Sequence, residues 1–227
     1  MNLDWNHFVP VQDDLIWIVS PKLLLHYPLM NDRFLDMVQT CFGTDEYPGE
    51  HHEPSFNLEE ITERTVEIVT LFIYYPNTSV ITNENVNTFS AFVSINYDIH
   101  EGTMTMWNLC SMDRGKGYAG RLVDLSIVWC RDEFHLPLHL KVYVYNPMFE
   151  QVVSFYLRRN FIFQDVERNG KVVAMIYAPK IKKVTHLHQS FLSIICQCWD
   201  AVLHQPPSNE RKWLAHRLLS LLPKQRL

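Results

Sequence analysis

The chain has 227 residues and a formal net charge of −5, with 47% hydrophobic and 20% charged residues. This composition is typical of a folded globular protein and excludes a disordered chain. The length allows one full core with a small appendage, and no apolar run reaches the length of a transmembrane helix.

The N-terminus has no basic segment followed by an apolar stretch, so we expect a cytoplasmic protein, with the nucleus left open. Five cysteines lie mostly inside apolar patterns, and their odd number favours buried reduced thiols over a disulfide framework. They are Cys41, Cys110, Cys130, Cys196 and Cys198.

The net charge is distributed unevenly. Residues 181–227 contain seven Lys or Arg and two acidic residues, so residues 1–180 carry a net charge of −10. An acidic body favours cationic substrates and repels nucleic acid. A basic stripe with interleaved aromatic residues is also absent from this part, and we expect no nucleic-acid partner.

The first part of the chain predicts one strand, two helices and three further strands, in that order. They are a strand at 14–19, a helix capped by Asn31 and ended by Gly43, a helix from Asn57, and strands at 65–75, 89–99 and 103–110. The polar stretch 44–54 between the two helices reads as a loop. Its His51-His52 pair has no spaced partners, which is not the pattern of a metal site.

The second part predicts a helix, a strand, a second helix and a hairpin. They are a helix from Gly120 to about Phe134, a strand at 138–145, a helix opened by Asn146-Pro147, and strands at 161–168 and 171–178. Asn169-Gly170 between the last two strands is a strong hairpin signal. Asn160 stands at a helix end, where a left-handed residue is expected.

Residues 181–227 form a separate segment of two amphipathic helical patterns, interrupted by Pro206-Pro207. We favour a helix pair packed on the surface of a 1–180 domain. A homodimer or partner interface, a lid over a site and a basic membrane contact stay open. His186-x-His188 and Cys196-x-Cys198 do not have the usual spacing of structural zinc ligands, so we expect no metal.

The stretch from Arg114 to Ala119 stands between an apolar strand and a helix. Gly115 and Gly117 allow backbone angles that other residues avoid, and the amino end of the following helix attracts anions. Arg114 and Lys116 add positive charge, and Tyr118 and Ala119 complete the stretch before the helix. The pattern predicts a phosphate site, although such turns are often plain connections.

This stretch matches Arg/Gln-x-x-Gly-x-Gly/Ala, and the chain resembles the GNAT N-acetyltransferases in which that motif binds coenzyme A. The resemblance continues at Asn146 and in the helix that carries Tyr156 and Phe161, where Asn160 replaces the Gly of the family. It covers about residues 100–178. It implies a mixed α/β fold with a mostly antiparallel sheet of about seven strands and helices on both faces.

The resemblance also implies a set of functional residues. Acetyl-CoA would be the co-substrate, with its pyrophosphate on residues 114–119 and its pantetheine arm on the backbone of Leu109 and Ser111. Asn146 would contact the coenzyme and also cap its helix. Tyr156 would be the general acid that protonates the departing thiolate. Strands 103–110 and 138–145 would run parallel and diverge.

The general base is the missing part of this site, because strand 103–110 carries no titrating side chain. His139, Asp113 and Glu101 are candidates, and nothing in their spacing selects one. Two functions therefore stay open: an N-acetyltransferase acting on an unidentified amine of a small molecule, peptide or protein, and a catalytically silent coenzyme-binding module that works through a protein partner.

Overall fold

The structure is a computed structural model that describes residues 6–42, 67–144, 146, 148–167 and 172–177. The chain divides into two compact units, Met1–Leu138 and His139–Leu227. Three predicted regions lie outside the described residues: the loop at 44–54, the helix from Asn57 and the segment 181–227.

The first unit is built on five strands, each paired antiparallel with the next along the chain. They are β1 (Asn6–Val11), β2 (Asp14–Val19), β3 (Glu67–Tyr75), β4 (Ala91–Asp98) and β5 (Thr103–Ser111). The sequence predicted the last four and missed β1. The stacking of Phe8 on Trp17, with ring centroids 5.4 Å apart, joins β1 to its neighbour.

The helices of the first unit are α1 (Pro21–Leu24), α2 (Pro28–Phe42) and α3 (Tyr118–Trp129), and a π-helical turn (Cys130–Phe134) extends α3. The predicted cap at Asn31 is wrong, because α2 begins three residues earlier, at Pro28. Proline is favoured in the first turn of a helix, and this preference sets the start of α2.

Helices cover both faces of this sheet, as the sequence resemblance implied. Alternate residues of β3, such as Leu71 and Ile73, lie in one apolar core with Phe34 and Met37 of α2. On the other face, Phe72 packs edge-on against Trp129 of α3, with ring centroids 5.2 Å apart. Covering both faces explains why β2 and β3 are nearly continuous apolar runs.

A disulfide joins Cys41 of α2 to Cys110 of β5, with their Cα atoms 5.9 Å apart. The prediction of reduced thiols is therefore wrong for this pair. Apolar residues around each cysteine indicated burial correctly, but the pairing depends on α2 packing over the end of β5, and sequence spacing does not reveal that contact. Cys130 is a free, buried thiol.

The remaining elements are β6 (Leu138–Tyr143), α4 (Phe149–Leu157), β7 (Phe161–Glu167) and β8 (Val172–Tyr177), and all but Leu138 belong to the second unit. β8 pairs antiparallel with both β6 and β7. The predicted hairpin is thus confirmed in its two strands, while its turn lies outside the described residues. The predicted left-handed residue after α4 is also confirmed, with φ of 63° at Asn160.

The described residues therefore contain eight strands, one more than the predicted number, in a mixed α/β fold whose strands are mostly antiparallel. No helix in this part of the chain is long and apolar enough to cross a membrane.

Candidate functional site

The turn between β5 and α3 has the backbone that its glycines predict. Gly115 and Gly117 have φ of 81° and 82°, in the left-handed region. Gly117 is the residue that immediately precedes α3, and its carbonyl accepts the amide of Arg121 at 3.1 Å. The turn therefore leads directly into a regular helix. The first amides of a helix have no carbonyl partner within that helix.

The amino end of α3 is open. Among the residues that the structure describes, no side chain caps it, and its first turn carries no acidic residue. A Cβ added at Gly115 or Gly117 would meet no atom of the described part of the chain within 4 Å. Arg114 and Lys116 are exposed beside it. Uncapped amides, the positive end of a helix and two cationic side chains together favour an anion such as phosphate.

On its sheet side, the start of α3 is held by polar contacts. Arg121 Nη1 donates to Asp14 Oδ2 at 2.7 Å and also to the hydroxyl of Tyr74, which itself donates to Asp14. The Asn77 amide donates to Asp14 Oδ1 at 2.8 Å. The ring of Tyr118 stacks on that of Tyr74, with centroids 4.5 Å apart. We call Asp14, Tyr74 and Arg121 the polar cluster.

The polar cluster keeps Asp14 ionised. Burial acts to raise the pKa of this carboxyl, but hydrogen bonds from Tyr74 and from the Asn77 amide, with the charge of Arg121, outweigh it and lower the pKa. Burial and the bond to Asp14 raise the pKa of Tyr74 to about 12. At neutral pH the cluster is therefore a carboxylate that accepts bonds from a neutral phenol and a guanidinium.

A β-bulge changes the direction of side chains in β5. Asn108 pairs with Ser94 and Met106 with Ile95, which leaves Trp107 as an extra residue. Beyond the bulge, Leu109 pairs with Val93, so Leu109 shares a face with Met106. The alternation predicted for this strand therefore holds only as far as Met106. Leu109 and Ser111, the predicted pantetheine contacts, are both partly exposed.

Asn146 belongs to the second unit, before α4. Its side-chain oxygen accepts the amide of Met148 at 2.8 Å, and its backbone carbonyl accepts the amide of Phe149, also at 2.8 Å. The helix begins at Phe149, two residues later than Asn146-Pro147 predicted. Asn146 therefore orders the turn that leads into α4, and its contact with a coenzyme stays a prediction.

Tyr156 lies on α4, where its side chain is buried among aromatic rings. Its ring meets those of Phe155 and Phe161 edge-on, at centroid distances of 5.1 and 5.4 Å. Burial raises the pKa of this phenol, which Arg159 lowers by a smaller amount. The hydroxyl therefore keeps its proton at neutral pH, as a general acid must before it reacts, although the same packing would suit a purely structural residue.

The structure does not select a general base among the three candidates. Glu101 lies in the turn after β4, where its amide donates to Asp98 Oδ1 at 2.9 Å. Asp113 is exposed just before the glycine turn. His139 Nδ1 lies 3.0 Å from Gln164 Oε1 on β7. Within the described ranges, no group of three or more His, Cys, Asp or Glu side chains is placed to hold a metal ion.

Sequence reasoning missed the polar cluster. Asp14 was assigned only to the start of a buried strand, and Tyr74 and Arg121 only to their strand and helix. Arg121 is 107 residues from Asp14 and 47 residues from Tyr74 in sequence, so no local pattern indicates their contact. The sequence contains one indication of this cluster: an ionisable residue lies near the start of each of two elements, Asp14 in β2 and Arg121 in α3.

Comparison with known proteins gives similarities in structure alone. No family model and no curated protein matches the chain. An acyl-CoA N-acyltransferase from Pseudomonas aeruginosa is 14% identical, with a TM-score of 0.49 over 73% of this chain and 99% of its own. PaiA N-acetyltransferase from Thermoplasma acidophilum, in complex with coenzyme A, is 14% identical, with a TM-score of 0.49 over 72% of this chain and 99% of its own.

A third similar structure is a chain of the NatC complex bound to Gag peptide and CoA, 17% identical, with a TM-score of 0.48 over 73% of this chain and 99% of its own. These identities and scores are low, so the fold is identified from the chain itself. A mostly antiparallel sheet with helices on both faces of the first unit, and a left-handed glycine turn between β5 and α3, match what the motifs imply. The described residues form the mixed α/β fold with a mostly antiparallel sheet that the sequence resemblance implied.

Proposed function

We propose that the chain is an N-acetyltransferase that binds acetyl-CoA and transfers its acetyl group to an amine. The observation that carries this proposal is the open amino end of α3, with left-handed Gly115 and Gly117 and no side-chain cap. A pyrophosphate on the amides of residues 115–119 would receive hydrogen bonds that the helix itself leaves unused. Arg114 and Lys116 would add charge, and Leu109 and Ser111 backbone groups would hold the pantetheine arm.

In the proposed reaction the amine nitrogen attacks the thioester carbonyl, the carbon–sulfur bond breaks, and an amide and free coenzyme A form. The nitrogen loses one proton and the departing thiolate gains one. Tyr156 would supply the thiolate's proton, since its phenol is protonated at neutral pH. We assign no side chain to the nitrogen's proton. An amine already partly deprotonated, or proton loss through water, would need none.

Two observations favour a second function, a coenzyme-binding module without catalysis. The side chains of β5 include no titrating group, and Tyr156 is packed as a structural tyrosine would be. A module of this kind would bind acetyl-CoA and release no thiol with any amine. The predicted partner contact through residues 181–227 would then carry the function.

A thiol-release assay separates the two functions. The full chain is mixed with acetyl-CoA and one of three amines: spermidine, a peptide with a free α-amino group, or a peptide with one lysine and a blocked amino terminus. We expect thiol release with at least one amine and matching acetylation by mass spectrometry. Coenzyme binding without release in a wider amine panel would favour the module.

The role of Tyr156 is tested on the best amine found. Tyr156→Phe keeps the ring that packs on Phe161 and removes the proton, so the maximal rate should fall roughly 10²–10⁴-fold with little change in coenzyme affinity. Tyr177→Phe is the matched control, because Tyr177 also packs on Phe161, at 5.7 Å. Equal turnover by Tyr156→Phe and wild type would reject the catalytic role.

A further inference from the structure

We propose that the polar cluster is the device that positions the coenzyme-binding amides, with Arg121 as the positioning residue. This inference rests on the proposed function, because it concerns the same turn. It adds three residues that lie outside the Arg114–Ala119 motif. Two of them, Asp14 and Tyr74, belong to strands that are far from the motif in sequence.

Arg121 joins the cluster to the turn through a single residue. Its backbone amide donates to the carbonyl of Gly117 at 3.1 Å and closes the first turn of α3. Its side chain donates to Asp14 Oδ2 at 2.7 Å. The position of Gly117, the left-handed residue at the helix start, is therefore tied to a carboxylate on β2 through one side chain and one backbone bond.

Tyr74 of β3 provides a second connection between the sheet and the first turn of α3. Its hydroxyl bonds to Asp14 and Arg121, and its ring stacks on Tyr118, the first residue of α3, at an interplanar angle of 23°. Asp14 is itself fixed by the Asn77 amide, two residues after the end of β3, at 2.8 Å. Its side chain is only 14% exposed, which limits screening by solvent.

Two connections at adjacent points of the first turn restrict both the position and the rotation of α3. Backbone amides bind a phosphate well only when several converge on it, and fixing them before binding lowers the ordering cost of the complex. An uncapped helix end next to two left-handed glycines has few internal restraints of its own. The polar cluster supplies those restraints from the sheet side, and none of its three side chains caps the amino end of α3.

A second arginine in the same unit offers a matched control. Arg33 of α2 donates from Nε and Nη2 to the carbonyl of Phe89, at 3.4 and 3.3 Å, and from Nη1 to Asp36 at 2.8 Å. Its side chain is 28% exposed, against 38% for Arg121. Both arginines hold a helix to its surroundings, but only Arg121 is bonded next to the glycine turn.

The experiment measures acetyl-CoA affinity by calorimetry for the full chain and for Arg121→Gln, Arg121→Lys, Tyr74→Phe and Arg33→Gln, with the thermal midpoint of each. Loss of a charge-assisted bond should weaken acetyl-CoA binding by about tenfold in Arg121→Gln. Arg121→Lys should recover part of that loss, because it keeps the charge opposite Asp14. Tyr74→Phe, a milder variant that keeps the stacking on Tyr118, should show a smaller loss. Arg33→Gln should bind as wild type does even where its thermal midpoint falls.

A purely structural role predicts a different pattern. Wild-type affinity in Arg121→Gln and in Tyr74→Phe, or an equal loss in Arg33→Gln, would overturn the inference while leaving the proposed function in place. Absence of acetyl-CoA binding by the wild-type chain would instead contradict the proposed function, and the inference with it. If Arg121→Gln does not fold, Tyr74→Phe and Arg121→Lys decide the question.

Discussion

α2 and α3 cover opposite faces of the same five-stranded sheet, but they are held to it differently. Met30, Phe34 and Met37 of α2 have no exposed surface, and the Cys41–Cys110 disulfide ties the end of this helix to β5. The apolar face of α3 is supplemented by the polar cluster at its first turn, next to an open glycine turn.

This difference separates a helix held by its buried apolar face from one whose amino end we propose to bind the coenzyme. Apolar contacts hold the buried face of α2, and a covalent bond fixes its carboxyl end. Polar side chains hold the first turn of α3 from the sheet side, and among the described residues no side chain caps the amides at its amino end. The comparison predicts that damage to the α2 contacts affects stability, and damage around the start of α3 affects coenzyme binding.

The largest effect should come from the disulfide. The cysteines are 69 residues apart in sequence, and the loop-entropy relation gives about 4 kcal/mol of stabilisation for a closed loop of this size. Urea unfolding of the wild type with and without a reductant should show a loss of this order, and Cys41→Ser should be insensitive to the reductant. Equal stability of the wild type in both conditions would contradict the covalent link.

Gly117→Val should weaken acetyl-CoA binding about 100-fold, because the added side chain enters the space through which a phosphate approaches and displaces the amides. Gly102→Val is the control, since Gly102 also has a positive φ, of 62°, and open space around it, but lies in the turn after β4. Both variants should lose similar stability. Equal coenzyme affinity in the two folded variants would rule out the phosphate role of the turn.

Asp14→Asn should remove a charge-assisted contact and lower the free energy of unfolding by about 2 kcal/mol at neutral pH. Because the folded-state pKa of Asp14 is lowered from its ordinary 3.8, its contribution is present above that value and is lost as the pH falls below it. The stability difference between wild type and Asp14→Asn should therefore shrink in acid. A difference that stays constant down to pH 2, measured by urea unfolding, would contradict an ionised Asp14.

Arg114→Ala should have the smallest effect. Arg114 is exposed, and an exposed charge contributes about 1 kcal/mol or less to an ionic contact, so acetyl-CoA affinity should fall only a few-fold. The loss should be larger at low salt than at high salt, because salt screens exposed charges. A loss independent of salt would point to a positional rather than an electrostatic contribution.

Much of this fold follows from local patterns in the sequence. The strand at 14–19 was predicted at its observed bounds, and the buried faces of α2 and α3 agree with their apolar spacing. The glycine turn was predicted because left-handed residues have a strong local signal. The start of α2 was misjudged because Asn31 and Pro28 both qualify as start signals.

The features that were missed depend on contacts between distant residues. The Cys41–Cys110 bond requires α2 to cross the end of β5, and the polar cluster joins residues from β2, β3 and α3. The bulge at Trp107 is set by pairing with β4, and the alternation within β5 does not show it. In each case the sequence indicates the residue's own element and not its partner.

The central claim is that the open start of α3 binds the coenzyme, and calorimetric titration of the full chain with acetyl-CoA tests it most directly. We expect one binding site whose affinity falls as salt is raised, since phosphate groups contact exposed cations and backbone amides there. Gly117→Val should abolish most of the heat while Gly102→Val retains it. No binding by the wild-type chain, or equal binding by both glycine variants, would contradict the account.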